Sequence, residues 1–391
     1  MALNFMQVLD KIKQIGLGAQ ARQESLDGRR EQARLLLASW ADKTAELYEK
    51  VERACQVDAG IRFALPPDGE SLDACTPEPK SPSSYPLLAA DGSQILPDRH
   101  ASLHYSLVNV GAIAFQPGSG LAPVIFTDSS LLFADDLFTE TGMLTGEAIE
   151  QRRDIAERRK LLELASSYST PVIALTDGPV ELWGAKNGAE GEYRKNLEIH
   201  RSVLSQLRER KAIVAGYVDK PGADLVVRLL EIALCSSEQE FQNIRVFHPL
   251  RGVTDRWLFD WLDPGSRSTI FGLQSTSRQH YTGDLSLHFF YLNVGYAKHA
   301  SLVRVEIPRW VAEDDKQIDH LHAALLQQCR LMGARPYPYI LARAHEIAVV
   351  KYEEKQQVEQ MLALELRRGG AEIEAESNKK SAKELPGRSG K

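Results

Sequence analysis

The chain is poor in cysteine and contains no long apolar run. Its four cysteines, Cys55, Cys75, Cys235 and Cys329, fall without C-x-x-C spacing. That excludes a zinc ribbon and supplies no disulfide framework. No apolar stretch approaches the roughly 18 residues needed to cross a bilayer, so no membrane association is expected. The opening "MALNFMQVLDKIKQIG" lacks the basic flank, apolar core and small-residue cleavage site of a secretory signal. The expected location is therefore cytoplasmic. Positive charge is short as well, with a formal net charge of −6 over 391 residues. Such a balance excludes a protein that coats nucleic acid through bulk charge; handling DNA would need local basic patches and a confined path.

Several catalytic signatures are missing. There is no G-x-x-x-x-G-K-[ST] loop, which argues against ATP hydrolysis within this chain. "GSG" at 118–120 is a turn without the rest of a dinucleotide fingerprint, and no G-x-S-x-G elbow occurs. His345-Glu346 begins a zinc-protease motif, but position 349 is Val, so H-E-x-x-H fails.

What is present reads as a soluble α/β protein, with 43% hydrophobic and 26% charged residues. Residues 1–57 carry helical periodicity, and a Pro-, Ser- and Gly-rich linker follows to about residue 80. The expected organisation is an N-terminal helical region and linker (1–80), one large domain (81–366) and a disordered charged tail (367–391). Strands are expected at 87–90, 102–115, 122–128, 171–176, 212–218, 287–297 and 301–310. Gly111 suggests a bulge in the second of them. Helices are expected at 145–167, after the polar loop "GAKNGAEGE", at 222–235 and in a long closing segment after residue 334. An antiparallel meander followed by strand–helix alternation implies a mixed sheet flanked by helices.

Two apolar runs end on the same device. Leu87-Leu88-Ala89-Ala90 meets Asp91-Gly92-Ser93, and Val172-Ile173-Ala174-Leu175 leads to Asp177-Gly178. Singly, each Asp-Gly reads as a tight turn. Together they put a carboxylate at the carboxyl end of two strands, where functional groups gather in α/β sheets. The helix before the second strand offers a third acid. Glu157 stands i,i+4 from Arg153, and Glu150 and Asp154 share the helix. Three converging carboxylates need cations, and hard oxygen ligands suit Mn²⁺ or Mg²⁺. A two-ion site with ions about 3.5–4 Å apart activates water and stabilises the leaving oxygen of a phosphodiester.

His345, in "YPYILARAHEIAVV", reads either as a structural residue at a helix start or as a second-ion ligand or proton donor. Tyr337 reads as core or as a supporting hydroxyl. In "SLVRVEIP", alternation puts Arg304 and Glu306 on one face. Arg304 is then either ion-paired within the protein or a phosphate contact. Arg153, in the basic run "QRRDIAERRK", and Lys220, just past the 212–218 strand, are candidate DNA contacts or solvated surface.

The segments "LLAADGSQILPDRH", "VIALTDGPV", "FFYLNVG", "RVEIPRW" and "YPYILARAHEIAVV" together resemble the NurA nuclease family, in the expected order from about residue 85 to 352. The resemblance implies an RNase H-like core and manganese-dependent DNA cleavage of the exonuclease and single-strand endonuclease type. It further implies a role in end resection at double-strand breaks. The partners it implies are DNA, a HerA-type hexameric ATPase and a second copy in a homodimer. Its metal and catalytic set falls here on Asp91, Glu157, Asp177 and His345, with Tyr337 supporting. Two other readings compete: a non-catalytic RNase H-like module that binds DNA and docks on a motor, and a phosphohydrolase acting on a small nucleotide in a closed pocket.

Overall fold

A computed structural model describes residues 4–80, 85–98, 102–139, 142–169, 171–184, 190–296 and 300–371. Most of the expected tail, 372–391, and residues 185–189 of the polar loop lie outside the described residues. The fold is α/β. The chain divides into two compact units, Met1–Lys80 with Tyr217–Leu326, and Ser81–Gly216 with Gln327–Lys391. No described helix is long and apolar enough to cross a membrane.

In the second unit, a mixed sheet is built from β1 (Leu87–Ile95), β2 (Tyr105–Phe115), β3 (Val124–Phe133), β4 (Ile173–Asp177) and β5 (Ile213–Val218), the last running across the division. Their order is β5-β4-β1-β2-β3. The first three form the antiparallel meander, with Leu87 opposite Phe115 and Tyr105 opposite Phe133. β4 then pairs with β1 in parallel, from Leu87↔Ile173 to Ala90↔Thr176. Leu87 to Ala90 are fully buried, as an apolar run in the middle of a helix-covered sheet must be. Helix α1 (Gly146–Ala165) starts at Thr145, whose hydroxyl accepts from the Ala148 N–H at 3.2 Å. It buries Ile149, Ile155, Leu161 and Leu164. Helix α2 (Glu190–Glu209) follows.

Three expectations change. The first Asp-Gly is no turn: β1 continues through Asp91 and Gly92 to Ile95, still paired with β2. It can do so because β2 outlasts β4, so the backbone groups of β1 keep a partner after the parallel ladder stops. Gly178, by contrast, has φ +85° at the bend where β4 ends. Nor does Gly111 form a bulge, since it sits in regular register opposite Asp91. Its missing side chain serves a close approach instead: a Cβ there would meet the Ile347 carbonyl carbon at 2.7 Å and the Ala348 Cα at 2.8 Å. The closing helical stretch comes in two pieces, α3 (Tyr339–Ala348) and the longer α4 (Tyr352–Arg368). The inner side of α4 sets Val358, Leu362 and Leu366 against Tyr105 and Leu107 of β2.

The first unit carries three N-terminal helices, Phe5–Leu17, Ala19–Trp40 and Thr44–Val57. It also holds the buried helix Leu225–Leu234 and antiparallel strands, of which Leu287–Asn293 pairs with Leu302–Pro308 along its whole length.

Candidate active site

The D-G-S triplet of β1 does three separate jobs. Asp91 points one oxygen at its own Gly92 N–H (2.8 Å) and the other at the His345 imidazole (Oδ2 to Nδ1 2.7 Å). Gly92 leaves room for α1: a Cβ there would meet Glu157 Oε1 at 2.7 Å and the Arg153 side chain closer still. Ser93 donates to the Ala348 carbonyl at 2.5 Å, beside Asn109 of β2, which donates to the same oxygen at 2.7 Å. The Ser93 hydroxyl also accepts from the Val350 N–H. Gly111, Ser93 and Asn109 thus pin the end of α3 onto the sheet, and that pin sets His345 over Asp91. His345 therefore lies in the last turn of α3, not at a helix start.

Asp177 follows Thr176, the last residue of β4 paired to β1. Crowding by surrounding protein raises its carboxyl pKa and the charge of Asp91 raises it further. Hydrogen bonds from the Tyr337 hydroxyl and the Gly178 N–H, and the nearby His345, act against them without cancelling the rise. Glu157 is buried, and burial pushes its carboxyl up to about 8, with Arg158 and Arg153 opposing and Asp154 and Asp91 adding. Of the three helix acids, Glu157 is the one turned onto Gly92, whereas Glu150 is exposed and Asp154 pairs with Arg153 at 2.9 Å. The structure therefore brings Asp91, Glu157, Asp177, His345 and Tyr337 together in one unit.

Arg153 also joins the cluster, but its guanidinium is engaged by Glu157 (3.2 Å), Asp154 and Gln94 (2.9 Å). Held this way, it balances the acids. Lys220 belongs to the other unit, exposed in the turn after β5 with φ +46°. Arg304 belongs there too and is buried, paired with Glu306 at 2.7 Å. The phosphate-contact reading of Arg304 is thus corrected. A strand buried on both faces turns its charged side chains onto one another instead of outward.

Sequence reasoning missed the residues that hold the second Asp-Gly loop. Arg158, read as part of a surface run, is buried; it donates to the Asp154 carbonyl at 2.9 Å and to the Pro179 carbonyl at 3.2 Å. His200 donates through Nε2 to the Val180 carbonyl at 3.0 Å, and Gln151 donates to that of Trp183 at 3.2 Å. Gly216 makes room for the loop, since a Cβ there would lie 2.5 Å from the Gly178 carbonyl oxygen. Only the i,i+7 spacing of Gln151 and Arg158 on one helix side hinted at this.

Chemically, three carboxylates and an imidazole offer hard oxygen ligands and one nitrogen, a set that suits Mg²⁺ or Mn²⁺. The raised Glu157 and Asp177 fit it too, because a bound cation would offset the burial and the neighbouring carboxylate charge that raise them. Among the described residues, no three His, Cys, Asp or Glu side chains already stand at ligating distances. Glu157 is instead engaged by Arg153, and Asp91 by His345.

The fold is similar to the crystal structure of the NurA nuclease from Sulfolobus solfataricus, with TM-score 0.47, 11% identity, and 93% of this chain and 98% of that one covered. It is also similar to the catalytic domain of human Endonuclease V, with TM-score 0.33, 14% identity and coverage of 82% and 98%. At such scores neither likeness bears weight. No curated protein sequence matches. The family model for the NurA domain, however, matches residues 86–350, which hold both Asp-Gly segments, the Glu157 helix and the Tyr337–Val350 segment. The chain belongs to the NurA family.

Proposed function

We propose that this NurA-family nuclease is a divalent-metal-dependent deoxyribonuclease, with manganese or magnesium in a two-ion site. The observation that carries the reading is the convergence of Asp91 and Asp177, on neighbouring parallel strands, with the buried Glu157. These three would hold the ions. A divalent cation bound there supplies an acidified water and charge to stabilise the leaving oxygen. His345, fixed through Nδ1 by Asp91, keeps Nε2 for a second ion or for handing a proton to the leaving oxygen. Tyr337 fixes the Asp177 carboxylate by donating to it.

Purified protein with labelled linear DNA tests this, in Mn²⁺, in Mg²⁺ and in chelator. Cleavage should need the metal and should vanish in Asp91→Ala. Equal degradation by Asp91→Ala and parent would defeat the assignment of cleavage to this site, and a parent that binds DNA but cleaves it in neither metal would leave the chain as a DNA-binding module.

The finer role proposed is resection of double-strand breaks as a cytoplasmic homodimer beside a HerA-type hexameric ATPase. Its support is membership of the NurA family. Co-purification with such an ATPase, and a dimer mass in solution, would test it.

A further inference from the structure

The chain has only five tryptophans, and the first unit places two of them, Trp257 and Trp261, at the surface, 40% and 39% exposed. For so large an apolar ring that exposure is unusual. Arg30, from the helix Ala19–Trp40, stacks on the Trp257 ring with its guanidinium carbon 3.8 Å from the centroid, and Arg256 lies 6.0 Å from it. Trp261 lines a cavity of about 580 Å³ with Arg34, Leu37 and Ala38 of the same helix and with the carboxylates of Asp73 and Asp260. Arginines and aspartates share this surface, and Arg251 sits against the same helix, its carbonyl accepting from Arg29. Arg30 pairs with Asp27 and Arg34 with Asp260, which leaves Arg251 and Arg256 exposed and in no ion pair among the described residues.

We infer that this Trp257–Trp261 surface binds a single strand of nucleic acid, its bases stacking on the indoles and its phosphates meeting Arg251 and Arg256. Indoles flanked by guanidinium groups match a ligand that alternates flat π-faces with negative charge. Arg30 already covers one side of Trp257, so the ring is held in place before a base arrives. A duplex cannot use such a platform, because pairing and stacking hide its base faces. A protein partner would call for a broader apolar area than two half-exposed indoles. The helix that supplies Arg30 and Arg34 precedes the residues matched by the family model. Taking the strand to be DNA rests on the nuclease reading above.

The test uses the full chain in chelator, so that no cleavage occurs, with fluorescein-labelled oligothymidylate followed by anisotropy and by quenching of tryptophan emission. The parent should bind and be quenched. Trp257→Ala should weaken binding about tenfold, while Trp257→Phe, which keeps an aromatic face, should retain most of it. Arg256→Gln should flatten the dependence of log affinity on log salt by about one phosphate contact. Parental affinity in both Trp257→Ala and Trp261→Ala, or equally tight binding of blunt duplex, would overturn the inference, as would no binding by the parent. A chain that binds the oligonucleotide through these residues but never cleaves DNA in Mn²⁺ would defeat the nuclease reading and leave this one standing.

Discussion

Asp91 and Asp177 stand at the same level of two parallel strands, each directly after the last paired residues, Ala90 and Thr176. Burial raises the pKa of Asp177, and the charge of Asp91 raises it further. Replacing either with Asn should lower metal-dependent DNA cleavage by more than about 100-fold. In chelator, the same variants should melt at the parental temperature or above it, because a repulsion has been removed. A large fall in melting temperature would mark these residues as structural.

Gly111 and Gly92 face different obstacles. At Gly111 an added methyl meets the backbone of Ile347 and Ala348, which cannot rotate away; at Gly92 it meets the flexible Arg153 side chain and Glu157. Gly111→Ala should therefore be the more destabilising, by about 1–3 kcal/mol. Because α3 must lift, it should also impair cleavage by moving His345. Urea denaturation of both variants checks the ranking.

Removing one member of the Arg304–Glu306 pair strands a buried charge. Arg304→Met should cost about 3–5 kcal/mol in urea denaturation. The salt dependence of DNA binding should not change, since Arg304 is buried against Glu306. A flatter salt slope in a folded Arg304→Met protein would restore the phosphate-contact reading.

His322 sets an acid limit on stability. It is buried, donates through Nε2 to the Gly265 carbonyl at 2.8 Å, and is held down to about 4, chiefly by burial. The unfolded chain, with histidine near its ordinary 6.5, binds the extra proton first. Stability from this residue is therefore complete above about pH 6.5 and is lost as pH falls through 4, up to about 3 kcal/mol in all. Melting temperatures between pH 7 and 4 should fall less steeply in His322→Gln than in the parent.

Arg158 is expected to act on Asp177 through the Gly178–Trp183 loop. Arg158→Gln loses its hold on the Pro179 carbonyl and the charge opposing Glu157. Cleavage should fall about 10- to 100-fold and need more metal for half-maximal rate, whereas Arg159→Gln, on the exposed side of the same helix, should leave both unchanged.

Local order was written plainly in the residues. The Leu87–Ala90 run, the apolar spacing along Gly146–Ala165 and the meander of β1 to β3 follow from neighbours two to four positions apart, so a linear reading finds them. The two Asp-Gly segments looked alike, yet one is continuous strand and the other ends its strand at a bend. What separates them is how far each neighbouring strand extends, and that lies elsewhere in the chain.

Residue chemistry was likewise fixed in advance: acids, an imidazole and a hydroxyl sit in motifs that name a family. Which groups meet was a matter of packing. His345 reaches Asp91 across 254 positions only because Gly111, Ser93 and Asn109 seat the end of α3 on the sheet. Glu157 is singled out from Glu150 and Asp154 by burial against Gly92, and Arg304 is withdrawn from solvent by its strand. Contacts over such separations depend on register and close approach, which no window of a few residues can encode.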